Sequence, residues 1–298
     1  MTSFESIAGV VDVHVMRGAR ASAGVDLVIE IPHGATETVN FTSLAAKLTS
    51  PLPDALVDFF HVNTDAGAPE LGEGIAGRLV AEDPARSVAI VRCRIPRTFI
   101  DCNRRIDAAP ADFKAGKVTP GLMPWITTDA DRELLRAAYA AYQQAVGDVL
   151  SRSPGAAILM LHTYAPRSID VEVDADIVKN LRRAYLPEVE PTWPLRPEVD
   201  VISRALDGTN HAPVDVVDTL RGALAADGIT VADGVTYPLH PSTVAWDHVI
   251  ARPGRALCVE VRRDLVAEPF EPFAQMTIGA AKVARLTGPF VSALRRWW

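Results

Sequence analysis

Cysteine is scarce in this chain, long apolar runs are missing, and cationic tracts are absent. Its three cysteines, Cys93, Cys102 and Cys258, are an odd number without metal-cluster spacing, which argues against a disulfide framework and for a reducing compartment. They read as small core hydrophobes. The longest apolar stretches, such as 156–161, fall far short of the roughly 20 residues that span a bilayer, so neither a transmembrane helix nor a membrane partner is expected. Glu5 stands where a secretory leader would carry basic residues, and no long apolar core follows it; a cytoplasmic location is expected. Acidic side chains outnumber basic ones, 37 to 30, for a formal charge of -7, so a nucleic-acid partner is not expected. What is present is an ordinary globular composition, with 48% hydrophobic residues, 22% charged residues and a mean hydropathy of +0.12, which excludes disorder and collagen-like repetition.

Four short segments rich in Val, Ile and Leu, at 25–31, 87–93, 156–161 and 256–261, read as strands. Each is near-continuously apolar, as expected of a sheet covered on both faces. Helical patterns lie between them at 70–80, 128–150 and 213–226, the second opened by Thr128 and Asp129, and the tail 273–298 has helical spacing at Ile278, Val283, Leu286 and Leu294. Strands alternating with helices predict an α/β protein, a three-layer sandwich around a mostly parallel or mixed sheet. No domain boundary is evident, so residues 1–298 are expected to form a single domain, with loop insertions near 108–124 and 187–197 where Pro and Gly gather.

Polar residues interrupt the strand pattern at telling places. The first strand runs into Pro32-His33-Gly34, the third into His162-Thr163-Tyr164, and the fourth reaches Glu260 followed by Arg262. In open α/β sheets the C-terminal strand edge is where ligand crevices form, so these residues, distant in sequence, are placed to converge there. Two imidazoles and a carboxylate can hold Zn²⁺ with one position left for water, and a second carboxylate can then take a proton. The third ligand is open: Asp65 ranks slightly ahead of Glu37, with Glu70 also in range. Against this stand structural roles, an N-cap for Asp65 and a first-turn helical carboxylate for Glu70. The segment 92–105, RCRIPRTFIDCNRR, packs five arginines around Asp101 and Asn103. Either Asn103 and Arg104 clamp a substrate carboxylate, or the segment is a surface ion-pair cluster of little energetic consequence. Tyr237, His240 and His248 either face substrate or pack in an ordinary loop.

Five short motifs in order, IPHG at 31–34, TDAGAPEL at 64–71, RTFIDCNR at 97–104, LHTY at 161–164 and VEVRRDL at 259–265, resemble the N-formylglutamate amidohydrolase family, and behind it the zinc carboxypeptidases of similar α/β architecture. The resemblance implies that His33 and His162 bind zinc together with an acidic residue, and that Glu260 is the general base and later the proton donor. It further implies that Arg262 orients that base or polarises the carbonyl, that Asn103 and Arg104 hold the substrate carboxylate, and that Arg97 stabilises the oxyanion. The His-x-x-Glu spacing of zinc carboxypeptidases is missing, because Thr36 stands three residues after His33. The segment 233–248 also departs from the family pattern and is a candidate for a different specificity pocket. The expected activity is zinc-dependent hydrolysis of the amide C–N bond in a small carboxylate-bearing substrate, an N-formyl- or N-acyl-amino acid. The competing expectations are a carboxypeptidase acting on short peptides and a non-catalytic relative that only binds ligands.

Overall fold

Apolar strands like these need cover on both faces, and the architecture supplies it. The structure is a computed structural model that describes residues 4–298. Seven strands, β1 (Val11–Arg17), β2 (Leu27–Ile31), β3 (Ser87–Cys93), β4 (Ala157–Tyr164), β5 (Val199–Val201), β6 (Val231–Asp233) and β7 (Ala256–Arg262), form one sheet in the order β1-β3-β2-β4-β7-β5-β6. The central four, β3-β2-β4-β7, are mutually parallel, whereas β1 pairs antiparallel with β3 and β5 pairs antiparallel with β7. The mixed sheet of a three-layer α/β sandwich is therefore present as expected. All four C-terminal ends of the central strands lie along one edge.

Helices α1 (Thr38–Ala45), α2 (Val57–Asn63), α3 (Ala68–Glu82), α4 (Pro110–Ala115), α5 (Asp129–Ser151), α6 (Ile177–Ala184), α7 (Val214–Ala226), α8 (Val244–Ala251) and α9 (Ala280–Leu294) connect the strands. Side chains alternate across a strand, and each face has its own cover. Leu27, Ile29 and Ile31 pack with Leu71 and Ile75 of α3, Leu220 of α7 and Phe290 of α9. Val28 and Ile158 face the other way, toward Leu135 and Val146 of α5, Phe60 of α2 and Val249 of α8. The Thr128 hydroxyl accepts from the Asp131 amide and caps α5.

Two strand boundaries bear on the site. β4 continues three residues past its apolar run, because His162, Thr163 and Tyr164 pair in register with Glu260, Val261 and Arg262 of β7. His162 and Glu260 therefore stand side by side within the sheet and not in the loops that follow it. β5 and β6, of three residues each, are too short to leave a readable pattern. The segment 108–124 carries α4, and 187–197 carries a single 3-10 turn at Glu190–Thr192.

One carboxylate breaks the apolar face of β2. Glu30 is 2% exposed; it accepts from the Tyr142 hydroxyl at 2.9 Å and lies 3.0 Å from His248 Nε2, tying β2 to α5 and α8. Burial alone would raise this carboxyl, but the adjacent His248 and the hydrogen bonds from His248 and Tyr142 hold it below the usual value. A lowered folded-state pKa means that its contribution is present above the unfolded carboxylate pKa and is lost as pH falls through the folded value. Glu30→Ala should cost about 3 kcal/mol, the lower end for breaking a buried pair. Urea melts at neutral pH check this, and the difference from wild type should narrow at acid pH.

Candidate metal centre

The loop after β2 turns at once, the Gly34 amide donating to the Ile31 carbonyl at 3.2 Å, and this brings His33 back over the strand edge. A Cβ at Gly34 would meet Arg92 Cγ at 2.6 Å, so the turn and the β3 side chain need glycine there. Asp65 arrives from the short link between α2 and α3. Gly67, which caps α3 with a φ of +89°, would place a Cβ 2.4 Å from Val266, so only glycine lets this link dock against the segment after β7.

These placements bring three atoms together. His33 Nδ1 lies 3.1 Å from Asp65 Oδ2, His162 Nδ1 lies 3.0 Å from the same oxygen, and the two Nδ1 atoms are 3.3 Å apart. All three residues are buried. Three electron-rich atoms this close need a proton or a cation among them. His33 also contacts Asp101, Nε2 to Oδ1 at 2.7 Å, and this deeply buried carboxylate fixes the ring. Burial would raise Asp101, but Arg104, then His33 and Arg97, hold it well below the ordinary range; being ionised, it accepts the Nε2 proton and leaves Nδ1 with a free lone pair. Asp65 is likewise lowered, His33 and His162 overcoming its burial.

Glu260 borders the same cavity as both histidines. One of its oxygens is buried with no hydrogen-bond partner. Its carboxyl is pushed up to about 7 by burial and by Asp65, against the opposing pull of His162, Arg196 and Arg97, so it exchanges protons near neutral pH.

Four of the five arginines in 92–105 fall into two groups. Arg97 and Arg104 turn inward, border the cavity, and contact Asp101 at 3.0 and 3.4 Å; Arg97 also comes within 3.4 Å of His33 Nδ1. Asn103 lines the cavity, with its amide nitrogen 3.4 Å from His162 Nε2 and its oxygen accepting from the Ala245 amide at 3.3 Å. Arg92 and Arg94 turn away and bind Glu37 at 3.0 and 2.9 Å. Glu37 is therefore held by these two arginines and is not among the clustered donors, and Glu70 sits in the first turn of α3.

Arg262 departs from its expected place. Its guanidinium is held by Asp264 at 2.8 Å and by the Arg196 carbonyl at 3.0 Å, and it does not border the cavity; the neighbouring Arg263 does. Tyr237 lines the cavity, whereas His240 is bound to Ser242 and His248 to Glu30. Sequence reasoning missed Asp101 as the partner of His33, and it missed Arg196 and Arg263 altogether. Asp101 had a faint signal, being four residues after Arg97 and three before Arg104; Arg196, in a Pro-rich stretch, had none. The cavity holds about 840 Å³ and is bordered by seven Lys and Arg side chains against two carboxylates, Asp170 and Glu260, in a chain whose net charge is -7.

An α/β sheet with a buried His/Asp/His cluster and a free carboxyl at its C-terminal edge defines the class, an α/β protein with a candidate metal centre in a polar, cationic cleft. The chain belongs to the N-formylglutamate amidohydrolase family, whose model matches residues 25–267. Among solved structures it is similar to an N-formylglutamate amidohydrolase from Ralstonia eutropha JMP134, with 19% identity, 96% of each chain covered and a TM-score of 0.56. It is also similar to a gene product of Agrobacterium tumefaciens, with 16% identity, 99% of this chain and 98% of that one covered and a TM-score of 0.52. No curated protein matches it. No helix among the described residues is long and apolar enough to cross a membrane.

Proposed function

We propose that the chain is a zinc-dependent amidohydrolase that cleaves the amide C–N bond of an N-formyl- or N-acyl-amino acid. The observation that carries this reading is the triangle of His33 Nδ1, Asp65 Oδ2 and His162 Nδ1, with edges of 3.0 to 3.3 Å. Those edges are close to the roughly 3.3 Å expected between ligand atoms around a tetrahedral ion with bonds of about 2.0–2.1 Å. Two imidazoles and one carboxylate form a donor set suited to zinc. When bound there, the ion supplies Lewis acidity, lowering the pKa of water and polarising the amide carbonyl.

The chain's own residues do the rest. Glu260 takes the proton from the attacking water as its oxygen bonds to the carbonyl carbon, and returns it to the nitrogen as the C–N bond breaks. A carboxyl pushed up to about 7 suits both halves of that cycle. Arg97, bordering the cavity beside the cluster, stabilises the negative charge that develops on the carbonyl oxygen. Arg104 holds the substrate carboxylate: three of its N–H groups are engaged, by Thr119, Asn103 and Asp101, and a guanidinium has five. Asn103, its oxygen accepting from the Ala245 amide, lies beside Arg104 on the cavity wall.

Asp101 acts through His33. Asp101→Asn keeps all three donors but weakens the fixed orientation of the ring, so zinc affinity should fall roughly 10- to 100-fold. Competition with a chromophoric chelator measures this, and an unchanged affinity removes Asp101 from the account. The activity itself is tested by assaying zinc-loaded protein for amine release from N-formyl- and N-acetyl-amino acids beside short peptides. Turnover of the acyl-amino acids with no release from peptides supports the proposal. The cavity, at 840 Å³, has room for a dipeptide as well, which favours short peptides as the second reading, and C-terminal release from peptides alone would establish it.

A further inference from the structure

One sector of the cavity is apolar. Phe59 and Val62 of α2 and Ile177 and Leu181 of α6 are buried and border it. Ile177 and Leu181 lie four residues apart and share one face of α6, while Lys179, Arg182 and Arg183 are exposed on the rest of the helix. Phe59 and Val62, three residues apart, share a face of α2 in the same way. Arg182 reaches back to Asp58 at 2.7 Å, which clips the two helices together, and Phe59 rests edge-on against the Trp125 ring, 5.6 Å between centres. The wall is therefore built before any ligand arrives.

A third side comes from the chain between β4 and α6. Ile169, Val171 and Val173 are half-buried, border the cavity and pack against the cluster that holds Phe59 and Leu181. They alternate with the exposed Asp170 and Glu172, the period of two that turns every second side chain to one side. The place of this sector along a substrate follows from Arg97. Its Nη1 lies 3.4 Å from the carbonyl of Asn63, the last residue of α2, and its Nη2 donates to Asp101, which Arg104 also contacts. Arg97 thus stands between α2 and Arg104. A substrate with its carboxylate at Arg104 and its carbonyl oxygen at Arg97 continues, through the group bonded to the carbonyl carbon, toward α2 and α6.

We propose that α2, α6 and residues 169–173 form an acyl subsite, which takes an apolar chain of several carbons on the carbonyl side of the scissile bond. This rests on the reading of the cavity as an amidohydrolase site and adds which acyl group that site prefers. A formyl group carries only a hydrogen at that point and leaves the wall wet. A longer chain covers it, and each methylene buried there tightens binding roughly fourfold. A dipeptide is the poorer occupant, because its ammonium group would be set against apolar side chains and lose its hydration.

The test is calorimetric binding of N-formyl-, N-acetyl-, N-butanoyl- and N-hexanoyl-L-glutamate to zinc-supplied Glu260→Gln, with and without Val171→Asp. The hexanoyl compound has four methylenes more than the acetyl one and should bind roughly 100-fold more tightly. A carboxylate at position 171 makes the wall polar, and that gain should shrink to about tenfold or less. Val171 is half-buried in a connecting stretch; should Val171→Asp not fold, Val171→Ser decides, with a reduced gain again expected. No measurable binding, affinity that does not rise with chain length, a gain that the substitution leaves unaltered, or L-alanyl-L-glutamate bound as tightly as N-butanoyl-L-glutamate overturns the subsite. Binding needs no turnover, so affinity that rises with chain length in a protein whose wild type hydrolyses none of these amides would sink the amidohydrolase reading and keep the subsite. Hydrolysis with a flat series would do the reverse.

Discussion

Glu260→Gln should lower kcat roughly 10²- to 10⁴-fold, the range that a positioned general base and acid contributes, while zinc content stays at the wild-type level. Glutamine keeps the size of the side chain and one carbonyl oxygen but cannot carry a proton in either direction. The position argues for this role on three grounds. Glu260 stands opposite His162 in the parallel register of β4 and β7, one of its oxygens is buried and unpartnered, and burial with Asp65 pushes its carboxyl up to about 7. A base must be ionised to act, so wild-type kcat/KM should fall on the acid side of the Glu260 pKa, and that limb should vanish from the variant's residual activity. Wild-type turnover in Glu260→Gln would remove the residue from the mechanism.

Removing one donor from the triangle should abolish tight metal binding. His33→Ala, Asp65→Ala and His162→Ala each leave two donors, and the loss in affinity should exceed the roughly 10- to 100-fold that follows from disturbing an outer partner. Elemental analysis after dialysis against buffer should then find zinc in the wild type and almost none in the three variants. Glu37→Ala is the control, because its side chain is 46% exposed and bound to Arg92 and Arg94. Zinc retained in Asp65→Ala and lost in Glu37→Ala would reverse the assignment of the third donor.

Much of this arrangement was legible in the sequence because parallel strands announce themselves. Strands covered on both faces are continuously apolar, so the polar residues that end them, His33 after β2 and His162 and Glu260 near the ends of β4 and β7, stood out without any knowledge of the fold. Asp65 was harder to place. It belongs to a link between two helices, and nothing in spacing separates a carboxylate aimed at two histidines from one that caps a helix; only the approach of α3 to the sheet, with Gly67 tight against Val266, decides its direction. Arg262 and Arg263 show the limit of local reasoning. They are adjacent at the end of β7, where a turn of one residue reverses which side chain enters the cavity, and Asp264 holds Arg262 outside. Arg196 was invisible because its neighbours Tyr164 and Tyr237 come from distant parts of the chain.

The central claim is that amide cleavage depends on an ion held by His33, Asp65 and His162. It is tested most directly by stripping the protein with a chelator and following formate release from N-formyl-L-glutamate as zinc is added back. The account predicts no release from the stripped protein and a rise to a plateau at one zinc per chain. Release that persists after stripping, or none at any zinc concentration, would contradict it.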